Sequence, residues 1–275
     1  MMIRSVFGHG RARRLAHWAP LLPVLALCGC LRWFPAPTPM RSAQWTQPPA
    51  WPRARCLVVF LPGMGDHAED FDGHGFVAEV QRHTPGVDVV AADATIGYYA
   101  RGTFPERLAT DVIRPARARG YEQVWLVGVS MGGLGTIWYS RAHTADVTGV
   151  LALAPYLGER EIIDEIYAQG GLARWKGPPR VDALNEDSYQ REIWRWLQAV
   201  TGGRERGPII YIGYGRADDL ARPDALLAAR LPRGHTYRVD GAHDWTTWKI
   251  LLGQFLESSD FAARCGARGR AGAHR

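Results

Sequence analysis

The chain has 275 residues, 47% of them hydrophobic and 22% charged. That length and balance allow one sizeable core and argue against a disordered or fibrous protein, and no period of 20 to 50 residues points to a solenoid or propeller. The formal net charge of +6 does not signify a nucleic-acid groove. Arg4, Arg11, Arg13 and Arg14 precede residue 30 and Arg264, Arg268, Arg270 and Arg275 follow residue 260, with no acid in either flank, so the body between them is slightly acidic by formal count.

In chain order, a basic stretch to His17 leads into the apolar run Trp18 to Leu27 and then into small residues, the layout of a signal peptide over 1–29. The apolar run is about half the ~20 residues a spanning helix needs, and Pro20 and Pro23 weaken it as a helix. Leu27-Cys28-Gly29-Cys30 resembles the lipobox of bacterial lipoproteins, with Cys28 where Ala, Ser or Thr is usual. That resemblance implies lipidation at Cys30 and, since Leu31 follows, an anchor in the outer membrane. An ordinary secretory leader cleaved nearby is the alternative, and both mean export. Residues 30–54 hold Pro35, Pro37, Pro39, Pro48, Pro49 and Pro52 and read as an extended tether.

From Cys56 onward short apolar runs alternate with amphipathic stretches, the pattern of an α/β protein with a mostly parallel sheet covered on both faces. Strands are predicted at Cys56–Leu61, Val87–Ala92, Gln123–Val129, Val147–Ala154, Pro208–Gly213 and His235–Val239, and helices at Phe104–Arg119, Met131–His143, Arg222–Leu231 and Trp245–Glu257. Pro115 is expected to end or kink the first helix. The stretch 157–207 interrupts the alternation and reads as a helical cap, with helices near Glu159–Ala168 and Ser188–Val200. The domain is therefore placed at 55–260 and a basic tail, expected to be disordered, at 261–275. Cys56 and Cys265 are open to pairing or to remaining free thiols.

The chemistry concentrates where the strand Trp125 to Val129 runs into Gly128-Val129-Ser130-Met131-Gly132 and then into a helix. Small neighbours permit the tight strand-to-helix turn that lifts a serine hydroxyl to the sheet edge beside a helix N-terminus. The dinucleotide fingerprint fails because Ser130 stands at its second glycine, and a Walker Gly-Lys-Ser/Thr is absent. After the next-to-last strand comes Gly215-Arg216-Ala217-Asp218, with Asp219 as the close rival, and after the last strand Gly241-Ala242-His243, with Asp244 placed to cap the closing helix.

This Gly-x-Ser-x-Gly, acid, histidine order resembles the α/β-hydrolase superfamily over about residues 55 to 258. The resemblance implies Ser130 as nucleophile, His243 as general base and Asp218 as its orienting acid. Leu61-Pro62-Gly63-Met64-Gly65 is similar to the family's His-Gly-x segment with Pro62 in the histidine's place, which implies an oxyanion hole of the Met64 and Met131 main-chain N–H groups. The expectation is an exported serine hydrolase, a carboxylesterase needing no cofactor and no metal, acting on a small-molecule ester and held at the membrane by lipid. The alternatives are an amidase, peptidase or thioesterase using the same triad, or a non-catalytic lipoprotein using the fold as a binding scaffold. The histidine- and acid-rich loop Asp66 to His74 lacks recognised metal-ligand spacing and reads as a solvated loop. Tyr98 and Tyr99 are placed either at the mouth of the site or in packing, and at most one of Trp194 and Trp196 is expected to reach the site.

Overall fold

A computed structural model describes residues 34–46, 56–179 and 188–265. The leader over 1–29, Cys30, part of the tether, residues 180–187 and the tail from 266 lie outside the described residues. The strands are β1 (Ser42–Trp45), β2 (Cys56–Leu61), β3 (Asp88–Ala92), β4 (Gln123–Val129), β5 (Gly149–Leu153), β6 (Ile209–Gly215) and β7 (Thr236–Val239). They form one sheet in the order β1-β3-β2-β4-β5-β6-β7. All neighbours pair in parallel except β1, which runs antiparallel to β3 at the edge.

Strands buried on both faces are predominantly apolar, and β2, β3 and β5 are buried at every position, with the Asp88 carboxylate at the start of β3 accepting from the Tyr121 hydroxyl. Side chains alternate between the two faces with the strand period: Leu57, Val59 and Leu61 enter one core cluster, and Cys56, Val58 and Phe60 the other. Against these faces pack α1 (Asp70–Gly73), α2 (Phe76–His83), α3 (Ile96–Ala100), α4 (Phe104–Leu108), α5 (Arg114–Ala118), α6 (Met131–Ala142), α7 (Arg160–Ala168), α8 (Tyr189–Thr201), α9 (Ala221–Ala228), α10 (Trp245–Ser258) and α11 (Asp260–Cys265). Helix α10 buries Trp248, Leu251, Leu252 and Phe255, the face its three- and four-residue spacing predicts. Each such side chain contributes about 1.5–3 kcal/mol of transfer free energy as an upper estimate.

Two expectations need correction. Residues 34–46 are not a free tether. Tyr98 donates its hydroxyl to Pro37 O at 2.5 Å, Met40 N donates to Asp111 Oδ2 at 2.7 Å, and β1 adds an antiparallel edge strand. Prolines remove donors but keep carbonyl acceptors, so a proline-rich segment can still dock. Residues 261–265 are likewise ordered as part of α11, because Phe261 is fully buried edge-on against Trp125 and Cys265 forms a disulfide with Cys56, which also settles the open question of that pair. Pro115, expected to end or kink its helix, stands at the start of α5, just after the regular α-helical winding is interrupted. A π turn at Ala109–Ile113 links α4 to α5, the kind of local change in winding that interrupts a regular helix. Trp194 and Trp196, of which at most one is expected to reach the site, are both buried in the helical layer, where the Trp194 indole donates to Leu157 O at 2.7 Å.

Helices α7 and α8 stand where the two cap helices are expected. Ile162, Ile163 and Ile166 of one and Ile193 and Leu197 of the other enter the same core cluster as α6 and one sheet face.

Candidate active site

The chain leaves β2 toward β3 on one side, whereas β4 and the later strands extend on the other, so the order reverses between β2 and β4. At such a switch point the loops beyond the strands' carboxyl ends diverge and leave a crevice. Leu61 pairs with Gly128 across it, which sets the turn after β2 beside the turn after β4.

Ser130 occupies that second turn with φ 54° and ψ −114°, a left-handed conformation that costs a non-glycine residue about 1–3 kcal/mol. Packing enforces it. A Cβ on Gly128 would lie 2.1 Å from Gly132 O, and one on Gly132 only 2.0 Å from Leu61 O, so both glycines of the motif are required by close backbone approach. Ser130 N donates to Leu153 O at 2.9 Å, and its own carbonyl accepts from Tyr156 N at 3.1 Å and Leu134 N at 3.2 Å. The half-buried Ser130 thereby opens α6, and Met131, the helix's first residue, offers one of the N–H groups a helix start leaves unpaired. Met64 stands in a turn closed by Asp66 N donating to Gly63 O at 3.3 Å. A Cβ on Gly63 would be 3.5 Å from Ser130 Cβ, so this turn abuts the serine.

Beyond β6, Asp218 is buried, and its Oδ1 accepts from Leu220 N at 2.8 Å. Beyond β7, His243 directs Nδ1 to both oxygens of Asp218, at 2.9 and 3.1 Å. Asp219 is exposed. The carboxylate joined to the histidine is therefore Asp218. His243 meets the ring of Trp248 edge-on at 4.9 Å, and Asp244 caps α10 by accepting from Thr247 N at 2.8 Å. Among the described residues Ser130 makes no side-chain hydrogen bond to His243; such contacts commonly close only around substrate.

The loop after β2 uses its polar residues locally. His67 Nδ1 pairs with Asp93 Oδ1 at 3.0 Å, which holds the imidazole in its protonated form to a higher pH than usual, and Asp70 accepts from His67 N at 2.7 Å. His74 stacks on Trp245 at 4.4 Å. No cluster of three or more potential metal ligands occurs among the described residues. Tyr98 and Tyr99 serve packing. The Tyr99 ring stacks on Phe104 at 4.5 Å, and burial pushes its phenol ionisation upward.

Two residues escaped sequence reasoning. Asp66 lies against the Gly63 turn with its carboxyl pushed up by burial and by Asp70. Asp224 of α9 is wholly buried, both its oxygens lack a hydrogen-bond partner among the described residues, and burial followed by repulsion from Asp218 raises its ionisation well above the carboxylate range. Only the short turn spacing of Gly63-Met64-Gly65-Asp66 hinted at the first, and nothing local hinted at the second.

The sheet order, the strained serine and the acid–histidine pair together define an α/β-hydrolase fold. Solved structures agree. A ferulic acid esterase aligns with 79% of this chain and 97% of its own at 15% identity and a TM-score of 0.53. An S-formylglutathione hydrolase from Agrobacterium tumefaciens covers 82% of this chain and 90% of its own at 15% identity and 0.52. Est1E from Butyrivibrio proteoclasticus, with ferulic acid bound, covers 80% and 96% at 15% identity and 0.51. No protein-family model matches the chain, and no curated protein does.

Proposed function

We propose that the protein is an exported serine hydrolase, a carboxylesterase that cleaves a small-molecule ester through Ser130, His243 and Asp218. The observation that carries this reading is the Asp218–His243 hydrogen bond on the same sheet edge as a serine held in a strained elbow. The esterases among the structural neighbours support it by analogy of fold.

In this mechanism His243 Nε2 takes the Ser130 proton as Oγ attacks the ester carbonyl, while Asp218 holds the Nδ1–H tautomer and stabilises the imidazolium. The oxyanion is received by the N–H groups of Met64 and Met131. The imidazolium then protonates the departing alcohol. Water, deprotonated by His243, attacks the acyl-enzyme, and collapse releases the acid and restores Ser130. Every step uses side chains and amides of this chain. Residues 157–207, read as a cap, begin directly after Tyr156, whose N–H donates to Ser130 O; that adjacency supports a pocket shaped by this stretch.

Export rests on the leader over 1–29, and the anchor on lipidation of Cys30. The Cys56–Cys265 disulfide supports an oxidising compartment. No helix among the described residues is long and apolar enough to cross a membrane; in the proposed anchor each buried CH₂ of the lipid contributes roughly 0.8 kcal/mol.

The test is labelling of purified protein with a fluorophosphonate, then hydrolysis of an ester panel graded by acyl group, with amide and thioester counterparts alongside. Labelling at Ser130 and ester turnover support the reading. Labelling with only amide or thioester turnover moves it to those classes, and neither labelling nor turnover leaves a binding scaffold. For localisation, labelling with a palmitate analogue and fractionation of wild type and Cys30→Ala distinguish a lipid-anchored protein from an ordinary secreted one.

A further inference from the structure

Strand β1 runs antiparallel to β3 with Ser42 opposite Ala92, so its first residue stands at the carboxyl end of β3. That is the edge at which β4 delivers Ser130 and the turns after β6 and β7 deliver Asp218 and His243. Residues 34–41, which lead into β1, are therefore held on the catalytic edge of the sheet. Several bonds tie them down. Arg101 and the Thr95 hydroxyl donate to Phe34 O and Pro35 O, each at 2.9 Å, and the Tyr98 hydroxyl donates to Pro37 O at 2.5 Å. A Cβ on Gly97 would collide with Phe34 O and Pro35 O, so the segment lies directly on α3. The Asp93 carboxylate then joins it to the loop after β2, with Oδ2 accepting from Arg41 at 2.8 Å and Oδ1 paired with His67 Nδ1 at 3.0 Å.

This docking shortens the tether. Leu31, Arg32 and Trp33 alone separate Cys30 from Phe34, and those four residue steps reach at most about 14 Å, where the steps from Cys30 to Cys56 would reach about 90 Å if free. Strand β1 is three strand positions from β4, a lateral offset of about 14 Å to the Ser130 turn. A lipid on Cys30 thus brings the catalytic edge, and not the opposite one, to the bilayer. Phe34 and Met64, two of the four large exposed apolar side chains among the described residues, lie on that edge. We propose that the catalytic edge faces the bilayer holding the Cys30 lipid, and that the substrate is an acyl ester of a lipid in that bilayer. The inference rests on the hydrolase and lipid-anchor readings and names the substrate class of the first. A lipid ester reaches such a site by diffusion along the surface, without crossing open water. Attack by Ser130 breaks its acyl–oxygen bond, the His243 imidazolium protonates the departing lipid alcohol, and water then frees the fatty acid from Ser130.

The test uses the full lipidated chain reconstituted into vesicles of phosphatidylethanolamine and phosphatidylglycerol, beside the unanchored Cys30→Ala chain. Hydrogen exchange read by mass spectrometry should slow on vesicles in residues 61–66 and 94–101. It should stay unchanged in 84–87 and 144–148, which precede β3 and β5 at the opposite edge. Protection of 84–87 and 144–148, or of neither edge, overturns the orientation. A second variant carries about twenty Gly/Ser residues inserted between Leu31 and Arg32, a flexible span of about 25 Å that keeps both Cys30 and the docked segment. Fatty-acid release from the vesicle lipids should fall about tenfold or more in this variant, because the site is no longer held at the surface. Hydrolysis of soluble 4-nitrophenyl butyrate should change less than about twofold. Equal vesicle rates for the two tether lengths, or a wild type that cleaves the soluble ester alone, overturns the substrate assignment. Failure of the readings beneath gives other signals. Wild type without palmitate-analogue label loses the anchor and the orientation with it, and wild type without fluorophosphonate label loses the hydrolase and its substrate, while the exchange pattern still decides the orientation.

Discussion

His243 Nδ1 and the buried Asp218 carboxylate are joined through both oxygens, at 2.9 and 3.1 Å. The Nδ1–H is thereby fixed toward Asp218 and Nε2 is left free to take a proton. Asp218→Asn presents an amide where an acceptor is needed and turns the imidazole to the wrong tautomer, with an expected loss of about 10⁴ in kcat. Asp219→Asn, on an exposed side chain, should change kcat less than about threefold. Steady-state kinetics on both variants checks this, and a larger loss at Asp219 would reverse the assignment.

Replacing either Ser130 or His243 by alanine should remove at least about a thousandfold of turnover with the fold retained. A further effect follows from the backbone. At φ 54° glycine is unstrained where alanine is not, so Ser130→Gly should melt above Ser130→Ala by an amount equivalent to about 1 kcal/mol. Thermal unfolding of the two inactive variants is the measurement.

The elbow glycines make a stronger demand. Gly128→Ala and Gly132→Ala place a methyl group 2.1 and 2.0 Å from carbonyl oxygens of the neighbouring backbone. No side-chain rotation relieves this, and each should cost about 3 kcal/mol or more. Soluble yield and midpoint of urea unfolding report it, with Gly73→Ala, where a Cβ meets nothing within 4 Å, as control.

Asp224 predicts a pH dependence. Its folded ionisation lies well above the ordinary carboxylate value because of burial, then Asp218, whereas the unfolded chain ionises near about 3.9. The folded state therefore holds the proton longer, and this contribution to stability is present below the unfolded value and lost as pH rises through the folded one. Asp224→Asn cannot ionise. It should be more stable than wild type at neutral pH, with a flatter stability profile from pH 4 upward in equilibrium unfolding. An Asn variant with the wild-type slope would show that Asp224 is ionised in the fold.

The Cys56–Cys265 bond joins residues 209 apart in sequence. Restricting so long a loop in the unfolded chain contributes about 2–5 kcal/mol. Cys56→Ala/Cys265→Ala should unfold at lower urea by a corresponding amount, with β2 and α11 loosened, and a reducing agent should reproduce the shift in wild type.

Local pattern sufficed wherever one element's own residues carried the information. Cys56–Leu61 and Gln123–Val129 end where their apolar runs end, since a strand buried on both faces favours apolar residues. Gly128 and Gly132 mark the elbow because only glycine tolerates that approach, and Asp244 caps α10 through a bond three residues away. Contacts between distant segments were different. The short, half-polar β1 shows no apolar run and exists only because β3 offers an unpaired edge. Asp218 and Asp219 are neighbours of the same type, and burial against His243 decides between them. The pairing of Cys56 with Cys265 and the burial of Asp224 with no hydrogen-bond partner among the described residues likewise depend on which surfaces the sheet order brings together. Sequence spacing records a residue's neighbours along the chain, whereas desolvation and hydrogen bonding respond to neighbours in space, and only the folded sheet supplies those.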